Sequence, residues 1–297
     1  MGVDGQILLD KPAGITSFSA LNGLKRFLGT GRIGHAGTLD KFATGLLVVL
    51  VGKYTKLAEL FAGLDKCYRA TLVLGQRTDT LDPEGEVIEE KPLPDLRRIE
   101  EAADRLRGTI DQTPPVYSAV HVEGRRAYRM ARRGEQPKLE SRPVTIYRLE
   151  IESYQAPELD ITVECSKGTY VRALARDLGT LAGSCAYVKT LRRIKVGPYN
   201  VDEAVAVDEA SGLQWAAGAE GTAVPAASVQ RLLRLDGIRA LTVNAPSVAG
   251  VRNGQRVNDS FFADAPADGL HALLDSGGNL LALAVRDRGE YRYKMVL

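Results

Sequence analysis

The chain has 297 residues, of which 44% are hydrophobic and 26% are charged, and its net charge is +2. These values are ordinary for a globular protein, and the length favours about two domains. No apolar run reaches the roughly 18 residues of a membrane helix, and the N-terminus lacks a signal-peptide pattern. A soluble, cytoplasmic protein that does not bind a membrane is therefore expected. Residues 1–200 hold 30 Lys and Arg against 25 Asp and Glu, a mild basic bias that suits a polyanionic partner.

Strand-like runs alternate with helical stretches over residues 1–200. Ser17 is placed to cap a helix that starts at Phe18, and Gly179 is expected to close a later helix. Strands and helices mix without a regular βαβ repeat, which favours an α+β fold. The expected helices are 18–28, 94–108 and 171–178, and the expected strands are 45–52, 66–75 and 160–165.

The composition changes after about Tyr199. Residues 201–230 are rich in Ala, Val and Gly, like a connector with one or two helices. Short β-like runs follow, with turns expected at Asn253-Gly254 and at residues 276–279. Several short strands in about sixty residues predict a small β-barrel. The expected domains are 1–230 and 235–297, and the expected C-terminal strands are 240–243, 254–257, 270–274, 280–285 and 291–296.

Most familiar catalytic signatures are absent from the sequence, which contains no P-loop, no HExxH and no GxSxG motif. Its three histidines are too scattered for a metal site. Cys67, Cys165 and Cys185 are widely spaced and are expected to be reduced thiols. The remaining candidates for chemistry are carboxylates, hydroxyls and arginines.

The segment from Gly34 to Gly45 is the most distinctive in the chain. Glycines at 34 and 37 permit a tight loop before Asp40, and a strand-like run follows that can anchor it. The Asp40 carboxylate is then either a functional group held on a loop or a turn residue that caps its own backbone. Local pattern alone leaves both interpretations open.

Three other stretches favour a nucleic-acid enzyme, although each has a plainer explanation. Tyr68 lies between Lys66 and Arg69, as in a platform for stacking a base, but it could equally be a core tyrosine. Arg172 follows a predicted strand-to-helix junction and could reach a carboxylate or lie on the surface. Residues 125–133 contain five Arg and no acid. That segment is expected to be a helix along phosphates, and the alternative is a solvated charged face.

Together these segments resemble the TruB-type tRNA pseudouridine-55 synthases of bacteria. The resemblance covers nearly all of residues 5–200, and the tail from about Leu235 resembles a PUA-like RNA-binding domain. It implies a pseudouridine synthase fold, with a mixed, largely antiparallel sheet flanked by helices. The matching segments are 9–17, 34–45, 66–85, 114–134, 167–178 and 191–198.

The resemblance also implies roles for individual residues. Asp40 matches the catalytic aspartate, and Arg172 matches the arginine that pairs with it. Tyr68 matches the tyrosine that stacks on the target uracil, and His35 the histidine that enters the T loop and helps to expel the base. The residues that match the lining of the base pocket are Tyr170 and Leu191.

The sequence departs from the family pattern at two positions. Lys41 stands where a proline usually follows the aspartate, and His121 stands where a lysine is usual. Because proline fixes φ, Lys41 puts the stiffness of the Asp40 loop in question.

The implied reaction breaks the N-glycosidic bond of uridine, turns the base, and joins C5 to the ribose C1′. Nothing is oxidised and nothing leaves, so no cofactor and no metal are expected. Asp40 attacks C1′ as a nucleophile or removes a proton from C2′ to give a glycal, and the sequence does not choose between them. The expected partner is the T-arm stem-loop of tRNA, bound by a monomer. The alternatives are a guide-RNA-dependent synthase subunit and a tRNA-folding chaperone without essential catalysis.

Overall fold

The computed structural model describes residues 4–118, 120–122, 124–131, 133–135, 137–207 and 229–297. The expected connector at 201–230 therefore lies largely outside the described residues. The strands are β1 (Gly5–Lys11), β2 (Ile33–Ala36), β3 (Thr44–Val51), β4 (Lys66–Leu74), β5 (Gln76–Thr78), β6 (Val87–Glu90), β7 (Gly108–Gln112), β8 (His121–Val122), β9 (Arg125–Arg126), β10 (Arg142–Gln155), β11 (Glu158–Cys165), β12 (Ala186–Val196), β13 (Tyr199–Asn200), β14 (Val205–Ala206), β15 (Ile238–Thr242), β16 (Gly269–Leu274), β17 (Leu280–Asp287) and β18 (Glu290–Val296).

Helices flank these strands. The α-helices are α1 (Leu21–Leu28), α2 (Ala58–Ala62), α3 (Leu96–Leu106), α4 (Ala127–Ala131), α5 (Val171–Leu181) and α6 (Val248–Arg252), and residues 229–233 are also helical. Short 3-10 turns occupy Gly52–Leu57, Val201–Glu203, Ala245–Ser247 and Asp259–Phe261. In the described part of the chain, no helix is long and apolar enough to cross a membrane.

One large sheet forms the framework of the first two hundred residues. Its strand order is β14-β1-β3-β12-β4-β11-β10-β7, with β2 added beside β3 and β13 beside β12. The pairs β1–β14 and β3–β12 are parallel and the other pairs are antiparallel. The expected α+β fold with a mixed, largely antiparallel sheet is confirmed.

Helices α3 and α5 pack on one face of this sheet over a continuous apolar core. Leu72 of β4, Ile99 of α3 and Leu174 of α5 are completely buried in it. Burying a side chain of this kind contributes on the order of 1.5–3 kcal/mol. Because the core holds β4 and α5 together, it also fixes the two elements that carry Tyr68 and Arg172.

The two helix ends predicted from local signals are wrong, and in both cases tertiary contacts explain the difference. Helix α1 begins at Leu21 rather than Phe18, and the Ser17 hydroxyl instead bonds both the N–H and the C=O of Leu39. Helix α5 continues past Gly179 to Leu181. A Cβ at Gly179 would lie 2.7 Å from the backbone N of Ala186, so the glycine there serves close packing against β12.

The C-terminal region forms a separate four-stranded sheet in the order β15-β16-β17-β18. Four of the five expected strands are present, and the expected turns fall between elements. Residues 254–257 form no strand and follow the end of α6. An apolar cluster that includes Phe61, Tyr199, Leu232 and Leu283 joins this sheet to the large one.

Candidate active site

Asp40 lies on the loop between β2 and β3, and the N-terminal segment holds that loop in place. Ser17 bonds the backbone of Leu39, and the N–H of Gly14 donates to the carbonyl of Lys41 at 2.9 Å. The Lys11 ammonium donates to the carbonyls of Pro12, Ile15 and Lys41. Hydrogen bonds to the backbone of Leu39 and of Lys41 therefore fix the loop on both sides of Asp40, in place of a proline.

Lys11 is completely buried, at 0% exposure. Burial lowers the pKa of its amine to about 8, and the nearby negative charge of Asp40 opposes that shift. Burying a charged group costs free energy unless hydrogen bonds compensate, and here three carbonyl oxygens do so. Lys11 lies inside the matching segment at 9–17, but the resemblance implied no role for it.

Arg172 meets Asp40 across the site from the first turn of α5. Its Nη2 donates to Asp40 Oδ1 at 3.1 Å, and its Nε lies 2.8 Å from Oδ2. The guanidinium side chain is 4% exposed whereas the carboxylate is 38% exposed. Arginine can engage both oxygens of a carboxylate and so fix its orientation. The structure places these two predicted site residues in direct contact.

The start of α5 is itself clamped by a buried amide. The N–H of Tyr170 donates to Gln112 Oε1 at 2.8 Å, and Gln112 Nε2 donates to the Tyr170 carbonyl at 3.2 Å. Gln112 is 2% exposed at the end of β7. This two-point contact fixes the strand-to-helix junction from which Arg172 and Tyr170 extend.

A second carboxylate lies on the far side of the guanidinium. Asp82 Oδ2 accepts from Arg172 Nη1 at 3.3 Å, and Asp82 Oδ1 accepts from the Thr80 hydroxyl and the N–H of Glu84. Burial raises the pKa of Asp82, while its hydrogen bond from Thr80 and the charge of Arg172 act in the opposite direction. Sequence reasoning missed Asp82. The only signal was the segment 78–82, which matched the family pattern without an assigned role.

The loop that carries Asp82 has a strained backbone. Leu81 has φ +62°, a left-handed conformation that is unfavourable for a branched side chain. Its carbonyl accepts from Val188, and the Thr78 hydroxyl bonds the Asp82 carbonyl at 2.8 Å. Such strain persists where surrounding contacts enforce it, most often at functional sites.

Asp40 and Arg172 line a cavity of about 300 Å³, at the lower end of the roughly 300–1,000 Å³ typical of small-molecule sites. Five of the six predicted site residues line it. Tyr68 is 9% exposed, and burial raises the pKa of its hydroxyl. The lining residues are Gly37, Thr38, Leu39, Asp40, Ala62, Lys66, Tyr68, Ser118, Ser166, Gly168, Thr169, Tyr170, Val171, Arg172, Leu191 and Arg193.

His35, the sixth predicted site residue, is not among the lining residues. It lies on β2 opposite Val49 of β3, and its Nδ1 is buried without a hydrogen-bond partner in the described part of the chain. Burial lowers the pKa of the imidazole, and the charge of Arg193 lowers it further. Both effects favour the neutral form of the ring.

The arginine-rich segment does not form the single helix that was expected. Strands β8 and β9 pair antiparallel with each other, and α4 covers only Ala127–Ala131. Arg125 pairs with Glu135 at 2.6 Å, and this acid lies just after the arginine-rich segment 125–133. Gly124 and Gly134, both with positive φ, favour turns on either side of α4. Arg132 lies outside the described residues, as do the side chains of Arg126, Arg129 and His121.

Lys41, at the usual proline position, forms an ion pair with Glu84. Its Nζ lies 3.2 Å from Glu84 Oε1, with both side chains about half exposed. The pair joins the Asp40 loop to the loop that carries Asp82. Together with the hydrogen bonds to the Lys41 carbonyl, it restrains the loop without proline.

Comparisons with known proteins agree with this geometry. The family model described as TruB family pseudouridylate synthase (N terminal domain) matches residues 25–171, and that of the tRNA pseudouridylate synthase B C-terminal domain matches residues 172–234. The chain is 40% identical over 294 residues to tRNA pseudouridine synthase B of Mycobacterium bovis (strain BCG / Pasteur 1173P2), covering 96% of this chain and 92% of that protein. The protein of the same name from Thermobifida fusca is 40% identical over 299 residues, with 96% of each chain covered.

The chain belongs to the TruB family of pseudouridylate synthases. It is therefore an isomerase of that class. The fold agrees with a crystal structure of a Cbf5-Nop10-Gar1 complex, in which one chain is 22% identical to this one with a TM-score of 0.70, covering 98% of this chain and 84% of that chain. At that level of identity the likeness concerns the fold alone.

Proposed function

We propose that this enzyme converts the uridine at position 55, in the T loop of tRNA, to pseudouridine, and that Asp40 is its catalytic residue. The observation that carries the proposal is the Asp40 carboxylate, oriented by Arg172 at the edge of a cavity of base-pocket size. Relatives that share 40% identity over nearly the whole chain are named tRNA pseudouridine synthase B.

Asp40 is suited to attack the sugar rather than the base. Its carboxylate is 38% exposed at the edge of the cavity, while Arg172 lies behind it in the protein. An anion held in this way acts either as a nucleophile at C1′ or as a base at C2′. Both routes use the same oxygen and the same orientation, so the role of Arg172 is common to them.

The cavity also has to retain the base after the glycosidic bond breaks. Tyr68 offers a ring for stacking, worth about 1–3 kcal/mol per base, and Tyr170 and Leu191 complete the wall. A uridine must leave its stack to enter, at a cost on the order of a few kcal/mol. A loop target keeps that cost low and allows recognition by RNA shape.

The remainder of the chain would bind the RNA. We assign residues 1–230 to the catalytic domain and 235–297 to a PUA-like RNA-binding domain, in keeping with the two separate sheets. His35 would enter the T loop, and residues 125–133 would contact phosphates. Replacing Arg129 and Arg133 by Gln should then reduce the slope of log affinity against log salt by about 1–2. An unchanged slope would contradict the phosphate contacts.

The test is to map pseudouridine after incubating the purified chain, without any guide RNA, with an unmodified tRNA transcript. A matched transcript carries cytidine at position 55. The proposal expects one new pseudouridine, at position 55, and none in the matched transcript. Modification elsewhere would contradict the assigned position, and modification only with added guide RNA and partner proteins would favour the guide-dependent alternative.

A further inference from the structure

The charges around the cavity do not balance. Four cationic side chains, those of Lys11, Lys66, Arg172 and Arg193, are at most 7% exposed. They face two carboxylates, those of Asp40 and Asp82, and Arg172 pairs with both. Within the described ranges, no carboxylate lies within ion-pair distance of Lys66 or Arg193. Burying a cation without a carboxylate partner costs free energy. The position of Lys66 and Arg193 beside the cavity therefore suggests a functional role.

Arg193 is held in the wall of the cavity by two backbone carbonyls and also lies within hydrogen-bonding reach of the Tyr68 hydroxyl. Its Nε donates to the Leu46 carbonyl at 2.7 Å, and its Nη2 donates to the Gly37 carbonyl at 3.0 Å. The side chain is 1% exposed and lines the cavity beside the Tyr68 hydroxyl. A Cβ at Gly45 would lie 2.3 Å from the Arg193 carbonyl, so the close approach of β3 and β12 fixes this position.

Lys66 lies in the same wall. It sits on β4 two residues before Tyr68, and its ammonium donates to the carbonyls of Ala62 and Leu64. A third ammonium proton has no acceptor in these two contacts. Burial and, to a smaller extent, the charge of Arg193 lower the pKa of Lys66 to about 8. The two cations are therefore close enough to interact, and neither is neutralised.

We infer that Arg193 and Lys66 stabilise the uracil anion that forms when the glycosidic bond breaks. The inference rests on the proposed function. When the C1′–N1 bond breaks, its electron pair stays on N1 and is delocalised over the ring and its carbonyl oxygens. After the base turns, the C5–C1′ bond forms, C5 loses its proton, and N1 gains one. Fixed cations in a water-poor site are efficient at stabilising a charge that develops only in the reaction.

The depth of these groups favours the base over a phosphate as the anion. Asp40, which acts on the sugar, is 38% exposed, whereas Arg193 and Lys66 are 1% and 7% exposed. With the ribose at Asp40, the ribose phosphates lie at the mouth of the cavity and the uracil lies further in. A contact in the deep wall therefore reaches the base.

The test varies the acidity of the leaving base. T-arm stem-loops carry either uridine or 5-fluorouridine at the target position, since fluorine makes the uracil more acidic and its anion less dependent on external stabilisation. Single-turnover loss of the target nucleoside, and stem-loop affinity, are measured for Arg193→Gln and Lys66→Gln. Arg192→Gln is the matched control, because Arg192 is adjacent on β12 but pairs with Asp10 at 2.7 Å and does not line the cavity.

Arg193→Gln should slow reaction of the uridine stem-loop by about 100-fold or more, with affinity unchanged within about threefold. The defect should be at least about tenfold smaller with 5-fluorouridine, because less stabilisation is required. Lys66→Gln should show the same pattern with a smaller loss, and Arg192→Gln should change neither rate by more than about threefold.

Equal losses on both stem-loops would overturn the inference and indicate a structural role. A loss of affinity with an unchanged rate would also overturn it and indicate a phosphate contact. If Arg193→Gln does not fold, as judged by its melting temperature, Lys66→Gln decides the result on the same criteria. Failure of the wild-type protein to convert the uridine stem-loop would instead contradict the proposed function.

Discussion

The 10-stranded sheet and the 4-stranded C-terminal sheet differ in where their charged side chains lie. In the large sheet region, Lys11, Lys66, Asp82, Arg172 and Arg193 are all buried. In the described part of the C-terminal region, His271 is the buried titratable side chain, and the charged side chains are all at least partly exposed. Arg286, for example, joins Asp259 and Asp268, which are each about half exposed.

This contrast indicates that the buried charges of the large sheet region serve the candidate active site and are not needed for folding. Burying an ionised group costs several kcal/mol even after relaxation, and an apolar core avoids that cost. The C-terminal sheet closes over Val251, Phe261 and Leu273 and similar residues. Three of the buried charged side chains of the large sheet region, those of Lys66, Arg172 and Arg193, line the cavity beside Asp40, and buried charge in a cavity is typical of functional sites.

The sharpest test of the contrast compares two arginines that each join two carboxylates. Arg172→Met should reduce turnover by at least about 100-fold and lower the free energy of unfolding by about 3 kcal/mol, because it leaves Asp82 buried and unpaired. Arg286→Met should cost about 1 kcal/mol or less, since its partners are exposed. Chemical denaturation and turnover assays measure both, and equal destabilisation by the two variants would contradict the contrast.

A smaller effect is expected at Asp82. Asp82→Asn keeps the shape of the side chain but removes the charge behind Arg172, so the guanidinium that orients Asp40 is held less firmly. We expect kcat to fall by about tenfold or more, with KM little changed. Asp79→Asn is the control, because Asp79 lies on the same loop and bonds the N–H of Glu86 instead. If both variants kept wild-type kcat, Asp82 would have no positioning role.

Tyr68 is expected to act mainly through its ring. Tyr68→Phe retains the stacking surface and should keep more activity than Tyr68→Ala, which loses stacking worth about 1–3 kcal/mol, or roughly 5- to 150-fold. Rates on a T-arm stem-loop compare the two variants. Equal losses would show that the hydroxyl, which lies beside Arg193, has a role of its own.

The smallest effect is expected from a substitution in an exposed ion pair. The ion pair of Lys41 and Glu84 is about half exposed on both sides, so Glu84→Gln should change the free energy of unfolding by less than about 1 kcal/mol and turnover by less than about threefold. A large loss of turnover would show that this pair, rather than the backbone hydrogen bonds at Leu39 and Lys41, holds the Asp40 loop.

Much of the site could be predicted from the sequence, because its residues lie in segments with distinctive local patterns. Asp40, Tyr68, Tyr170, Arg172 and Leu191 meet around one cavity, as expected. The positions that were missed depend on contacts between distant segments. Asp82 acts on Arg172 across 90 residues of chain, and Ser17 bonds a loop 22 residues away instead of capping a helix.

Prediction from local sequence pattern was also wrong where one residue type suits two different structural roles. Gly179 looked like a helix end, but the same residue type is needed wherever a helix packs closely on a strand. The composition of the arginine-rich segment predicts one helix, but glycine turns flank α4 and Arg125 pairs with the acid Glu135. Periodicity and composition give little information on contacts between separate segments, because they do not show which residues are close in space.

The most direct test of the central claim compares Asp40→Asn with the wild-type protein on one T-arm stem-loop. Binding is measured at equilibrium and conversion in a single turnover, so that affinity and chemistry are separated. We expect Asp40→Asn to bind the stem-loop within about threefold of wild type and to convert it at least about 1,000-fold more slowly. Conversion within about tenfold of wild type would contradict the assignment of Asp40 as the catalytic residue.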